Sequence, residues 1–235
     1  MRENLDISAY LVLGPENTLG RPVEDIVRAA VRGGFTCVQI RSKEASAREL
    51  IECTGRAAEA IASEHRAERV ALLVDDRLDV VLAARMQGVK VDGIHVGQTD
   101  IPVDVCRRLL GEDAIVGLSA RTEELLDYVR TVNTEEIDYF GAGPLHETAT
   151  KPDCGMDSAG HVITRSFEEL RELAKLSPIP VVVGGGVKLA DIPELAQTGV
   201  DGFFLVSAVA GAEHPEQAAR ELVSAWKKQK QNDSR

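Results

Sequence analysis

Eight times over, this chain repeats one unit: a short apolar run, then a segment with apolar residues at helical spacing. The runs are Tyr10–Leu13, Cys37–Ile40, Val70–Val74, Gly93–Val96, Ile115–Leu118, Tyr139–Ala142, Pro180–Val183 and Phe203–Val206. Most are near-continuous in Val, Ile and Leu rather than alternating, as strands buried on both faces are. Between and after them, helices are predicted over Val23–Val31, Ala47–His65, Leu78–Met86, Val103–Leu110, Thr122–Thr131, Phe167–Leu176, a stretch ending at Leu195, and Pro215–Lys227. Strand, helix, strand crossovers are right-handed, so successive strands lie parallel and side by side. Eight such units close most simply into a (β/α)₈ TIM barrel, expected here as one domain over 1–235. A doubly wound open sheet would show fewer units and a glycine-rich fingerprint after the first strand. Here the glycine clusters come late, after the sixth and seventh runs. From about Lys228 the chain is polar and is expected to fray.

Composition narrows the function. The net charge of −11 argues against a nucleic-acid footprint and against an anionic membrane surface. It leaves room for small anionic substrates, because a local cluster of Lys and Arg reverses the field inside a cleft. No apolar run approaches the length of a membrane span, and Met1–Ser8 lacks the apolar core of a signal peptide. Cys37, Cys53, Cys106 and Cys154 show no C-x-x-C spacing. Cys37 reads as a core residue and Cys154 as a loop thiol. A reducing, cytoplasmic setting without a zinc site is expected. The composition is compatible with a homo-oligomer.

In a barrel, chemistry gathers at the C-terminal ends of the strands. The second strand ends in Gln39, Arg41 and Lys43, which alternate and so share one side. Two cations and an amide suit a diphosphate, although a solvated turn has the same letters. The third and fourth strands run out into Asp75, Asp76 and Asp100. Carboxylates on adjacent strands converge, and a pair of them is how proteins commonly hold a Mg²⁺ that also grips phosphate. An Asp after a strand also serves as a turn former or helix cap. The fifth strand offers Ser119, which either bonds a leaving oxygen or caps the next helix. The sixth leads to Thr148, Ala149, Thr150 and Lys151, an oxyanion grip, and then to a long loop, Pro152–Thr164, read as a lid. His146, between the sixth strand and Thr148, is either a general base or a bystander. Gly184–Gly186 and Ser207, after the seventh and eighth strands, sit where barrels commonly bind phosphate. Two anion sites result, and only the first has carboxylates for a metal.

Taken in order, these motifs resemble the thiamine phosphate synthase family. They are Val38–Lys43, Val74–Arg77, Asp92–Asp100, Gly117–Ala120, Gly143 to Lys151, Gly185-Gly186 and Val206–Ala208, with Asp92–Asp100 the most specific. The resemblance spans about Tyr10 to Trp226. It implies a TIM barrel that joins 4-amino-5-hydroxymethyl-2-methylpyrimidine diphosphate to 4-methyl-5-(β-hydroxyethyl)thiazole phosphate, releasing diphosphate. It implies Mg²⁺ on Asp76 and Asp100. It assigns Gln39, Ile40, Arg41, Ser42, Lys43, Asp75, Ser119 and Lys151 to the pyrimidine diphosphate, with Arg41, Lys43, Ser119 and Lys151 carrying the catalysis. It assigns Thr148, Ala149, Thr150, Gly186, Val206 and Ser207 to the thiazole phosphate. Three departures stand out. Asp75 replaces a common Asn and needs protonation, a second cation contact or a direct contact to the pyrimidine amine, His146-Glu147 replaces a common aromatic-Pro pair, and the Pro152–Thr164 loop is longer than usual. The competing readings are a thiazole tautomerase-like isomerase, which needs no diphosphate grip, and a non-catalytic thiamine phosphate-binding barrel.

Overall fold

The computed structural model describes residues 1–148, 155–156 and 160–233. Eight parallel strands close on themselves in sequence order, β1 pairing with β8 as well as β2. They are β1 (Ala9–Leu13), β2 (Cys37–Ile40), β3 (Ala71–Asp75), β4 (Gly93–Val96), β5 (Ile115–Ser119), β6 (Tyr139–Ala142), β7 (Val181–Val183) and β8 (Gly202–Leu205). The helices outside them are α1 (Val23–Gly33), α2 (Ala47–Ser63), α3 (Leu78–Met86), α4 (Val103–Leu110), α5 (Leu125–Thr131), α6 (Phe167–Leu176), α7 (Ile192–Gln197), the short α8 (Ser207–Ala210) and α9 (Pro215–Asp233). The barrel expectation holds.

Local sequence explains most boundaries. Ser46 accepts the Glu49 N–H while Glu49 reaches back to the Ser46 N–H at 2.8 Å, a capping box that starts α2. Ser166 accepts the Glu169 N–H at 3.1 Å and starts α6. Helix α5 begins three residues later than the periodicity predicts, because Glu124 adopts a left-handed conformation (φ 53°) at its N-cap. Helix α9 runs past the predicted end at Lys227, as far as Asp233. Lys230 holds it, with its Nζ donating to the Val200 carbonyl at 2.8 Å and lying 5.0 Å from the Trp226 ring centroid.

Strand residues alternate between two apolar regions. Leu11, Val38, Ile40, Leu72, Val74, Ile94, Val116 and Phe140 face outward into the strand–helix core. Tyr10, Val12, Cys37, Leu73, Ile115, Tyr139 and Val182 fill the inside. The N-terminal ends are stitched by a repeated device. The residue before each even strand takes an N–H from the preceding odd strand on its side chain and returns its own N–H to the same residue. Asp92 does this with Leu72 (2.8 and 2.8 Å), Asp138 with Val116 (2.7 and 2.8 Å) and Asp201 with Val181 (2.8 and 2.8 Å). Thr36 does it with Ala9 through its hydroxyl. The Leu72 N–H is buried, where water does not replace a lost acceptor. Asp92→Ala is therefore expected to lower the unfolding free energy by about 1–3 kcal/mol. Chemical denaturation checks this, and steady-state constants should be unchanged, because Asp92 lies at the opposite end of β4 from Asp100.

Candidate active site

At the C-terminal mouth, the ends of β2, β3 and β4 converge. Register pairs Ile40 with Val74 and Asp75 with His95, so the residues that follow emerge together. Arg41 places its Nε 3.1 Å from Asp75 Oδ2, with both side chains largely buried. Lys43 bonds Asp76. Asp76 has a left-handed backbone (φ 57°), unusual for a non-glycine residue, pinned by its N–H on the His95 carbonyl at 2.8 Å. Asp100 accepts the Gly97 N–H at 2.8 Å and faces Asp76. Ser42, Arg77, Thr99 and Ile101 complete a cleft of about 540 Å³ around this cluster.

The two facing carboxylates are driven apart in proton affinity. Burial acts to raise Asp76, but bonds from Lys43 and Asp100 outweigh it and hold Asp76 below the usual carboxylate range. Asp100 is pushed above that range, first by burial and then by Asp76 beside it. Burial pulls Lys43 down, yet the bond to Asp76 and its charge leave it raised. Of the two, Asp100 holds its proton more tightly and Asp76 less. Asp75, Asp76 and Asp100 face two cations, an excess of negative charge that a diphosphate alone would worsen and a divalent cation would relieve.

Below this cluster a polar chain crosses the barrel. Gln39, 4 % exposed, donates its Nε2 to the Tyr10 hydroxyl at 2.8 Å. Tyr10 and Tyr139 hydroxyls are 2.8 Å apart, and Tyr139 meets His95 Nδ1 at 2.9 Å. His95 Nε2 lies 3.0 Å from Ser119 Oγ. Burial pushes both phenols well above their usual range, so both keep their protons. The amide N–H donates to Tyr10, and the five groups form one continuous run of hydrogen bonds from Gln39 to Ser119. Gly117 makes this possible, because a Cβ there would stand 2.2 Å from the Tyr139 ring.

With that geometry in place, likeness to known proteins becomes informative. The family model described as thiamine monophosphate synthase matches residues 9–209. This chain belongs to the thiamine monophosphate synthase family. The thiamine-phosphate synthase of Corynebacterium efficiens is 41% identical over 226 residues, covering 96% of this chain and 98% of that protein. That of Syntrophomonas wolfei is 37% identical over 225 residues, covering 96% and 99%. The solved thiamine phosphate pyrophosphorylase of Pyrococcus furiosus superposes with a TM-score of 0.77 at 28% identity, covering 96% of this chain and 98% of that one.

Against the pattern of the thiamine monophosphate synthase family, the structure brings Arg41, Ser42, Lys43, Asp75, Asp76 and Asp100 to one cleft. Of the alternatives for Asp75, the structure shows a cation contact, from Arg41. Ile40 is an expected contact residue, but its side chain is fully buried in the outer core and only its backbone reaches the strand end. Gln39 lies deep in the barrel rather than beside Lys43 at the surface. Ser119 bonds His95 and does not cap a helix. Val206 packs inside the barrel, and Ser207 opens α8. Thr148 follows His146 on the loop after β6. Ala149, Thr150, Lys151 and Cys154 lie outside the described residues. So do residues 152–154 and 157–159 of the expected lid, whose described part is tied by an isolated Met156–Val162 bridge and by the Ile163 N–H on the Gly155 carbonyl at 2.8 Å. His95, Tyr10 and Tyr139 were missed. Their signal was parity, since with Gln39 and Ser119 they occupy inward-facing positions on five strands. No described helix is long and apolar enough to cross a membrane.

Proposed function

We propose that this barrel is a thiamine phosphate synthase, condensing 4-amino-5-hydroxymethyl-2-methylpyrimidine diphosphate with 4-methyl-5-(β-hydroxyethyl)thiazole phosphate to give thiamine phosphate and diphosphate. The observation that carries the reading is the cluster of Arg41, Lys43, Asp76 and Asp100 at one cleft in a member of this family. An isomerase acting on the thiazole phosphate alone has no use for it. Among the described residues no group of three or more His, Cys, Asp or Glu is arranged to enclose an ion. Asp76 and Asp100 would hold Mg²⁺, which when bound neutralises charge on the leaving diphosphate. Arg41 and Lys43 bind and orient that diphosphate. Ser119, held by its hydrogen bond to His95, contacts the pyrimidine diphosphate. The pyrimidine methylene C–O bond breaks, diphosphate takes the electron pair, and the thiazole nitrogen fills the vacant position. No protein nucleophile is needed, so much of the acceleration comes from positioning two bound substrates. As part of this reading the protein works in the cytoplasm on small molecules.

Diphosphate release from the purified protein tests it. Release is expected only with both substrates and Mg²⁺. Isomerisation of the thiazole without release would point to the tautomerase, and binding of thiamine phosphate without turnover to a sensor. The pH dependence has a sign. Because burial and Asp76 make Asp100 hold its proton more tightly than usual, Mg²⁺ competes with that proton. The Mg²⁺ concentration for half-activity should rise as pH falls, beginning at a higher pH than an ordinary carboxylate would require. A titration at several pH values checks this.

A further inference from the structure

The loop after β6 and the loop after β7 are laid against each other. Gly184 donates to the Ala142 carbonyl at 3.0 Å, Leu145 to the Gly184 and Gly185 carbonyls at 3.0 Å, and His146 to the Gly185 carbonyl at 3.0 Å. Gly186 (φ 70°) packs so closely that a Cβ there would stand 2.8 Å from His146 Cβ. His146 then reaches past the glycines. Its Nε2 lies 3.0 Å from Asp191 Oδ2, in the 3₁₀ turn that leads into α7. The same oxygen accepts the Lys188 N–H at 2.8 Å. Segment 186–188 is therefore bracketed, by His146 Cβ at one end and by Asp191 at the other, with one side chain spanning both.

We propose that His146 is a positioning residue that latches the two halves of the thiazole phosphate site through Asp191. This rests on the reading above, in which Thr148 and Gly186 contact the thiazole phosphate. Thr148 lies two residues beyond His146, on the loop that the latch holds, and Gly186 lies beneath it. Backbone N–H groups bind a phosphate well only when their spacing is already set, because ordering them on binding subtracts from affinity. An Ala, or the aromatic residue common in the family, keeps the Cβ contact but loses the bond to Asp191. The latch acts on the thiazole phosphate side, away from Arg41, Lys43 and the carboxylates.

The experiment is steady-state kinetics of His146→Ala, His146→Gln and Asp191→Ala, varying each substrate in turn. His146→Ala should raise KM for the thiazole phosphate about tenfold, the loss of one bond to a charged group. The KM for the pyrimidine diphosphate and kcat should stay within about twofold, the range of a contact that touches neither. Gln carries an amide near the Nε2 position and should restore most of the loss. Asp191→Ala, which also leaves the Lys188 N–H without its acceptor, should be at least as damaging as His146→Ala, and the double variant should be no worse than Asp191→Ala alone. No rise in the thiazole phosphate KM, an equal rise for both substrates, or additive effects would overturn the latch. His146 is half-exposed, and thermal unfolding of each variant verifies the fold. Calorimetric binding of thiazole phosphate to the same variants reads the latch without turnover. A wild-type protein that releases no diphosphate would therefore fail the proposed reaction and still leave the latch to be judged.

Discussion

Asp100→Asn is expected to reduce metal-dependent diphosphate release by about 10³-fold or more, the scale seen when a principal charge-stabilising group is removed from a site. It should do so without lowering the thermal midpoint. The activity loss follows from position, since Asp100 is one of two facing carboxylates and the one whose proton the metal must displace. The stability argument needs its sign worked out. A carboxyl whose folded pKa is raised is penalised by folding when ionised, so folding loses stability as pH rises through that range. Asn keeps an oxygen for the Gly97 N–H, which Asp100 now accepts at 2.8 Å, and removes the charge that repels Asp76. At neutral pH in chelator, Asp100→Asn should therefore melt at the wild-type temperature or slightly above it. Adding Mg²⁺ should raise the midpoint of the wild type and not of the variant, because only the wild type gains by binding. Calorimetric melts with and without Mg²⁺, beside the activity assay, check both halves. Full activity in the variant would remove the metal assignment.

That contrast also marks what the sequence made legible. The eight strands could be read because each is a short apolar run between polar segments, most of them of Val, Ile and Leu, and hydrophobic burial alone defines such runs. Helices α3, α4 and α6 were legible to the residue, since apolar spacing and flanking breakers agreed. The end of α9 was not, because its last turns are polar and are held by Lys230 on Val200 and Trp226, a tertiary fact. The start of α5 was hidden in the backbone of Glu124. Strand-end logic was enough to gather Arg41, Lys43, Asp76 and Asp100. It could not find the chain from Gln39 through Tyr10, Tyr139 and His95 to Ser119, which depends on the register of non-adjacent strands across the barrel interior. Nor could it pair Asp75 with Arg41 or His146 with Asp191, because both are choices among several neighbours within reach.

The Arg41–Asp75 pair leads to the second large effect. Arg41→Ala should lower kcat/KM for the pyrimidine diphosphate by about 10²–10³-fold, as losing a charge-assisted contact to a leaving group does. It should also destabilise the protein, by about 3–5 kcal/mol if the pair behaves as a buried one. Asp75 is 9 % exposed, 3.1 Å from the guanidinium and next in sequence to Asp76. Without Arg41 it becomes a carboxylate deprived of that cation, in a cleft already shared by Asp76 and Asp100. The decisive comparison is Arg41→Ala with Asp75→Asn, alone and together. Asp75→Asn by itself places at this site the residue common in the family. It frees the guanidinium for substrate, so the KM for the pyrimidine diphosphate should fall or stay the same. In the double variant the neutral amide no longer needs a cation, and most of the stability lost in Arg41→Ala should return while the activity does not. Denaturant unfolding and kinetics on the three variants separate the two roles of Arg41. If the double variant recovers activity together with stability, Arg41 acts only by neutralising Asp75, and the diphosphate is gripped by Lys43 and other groups instead.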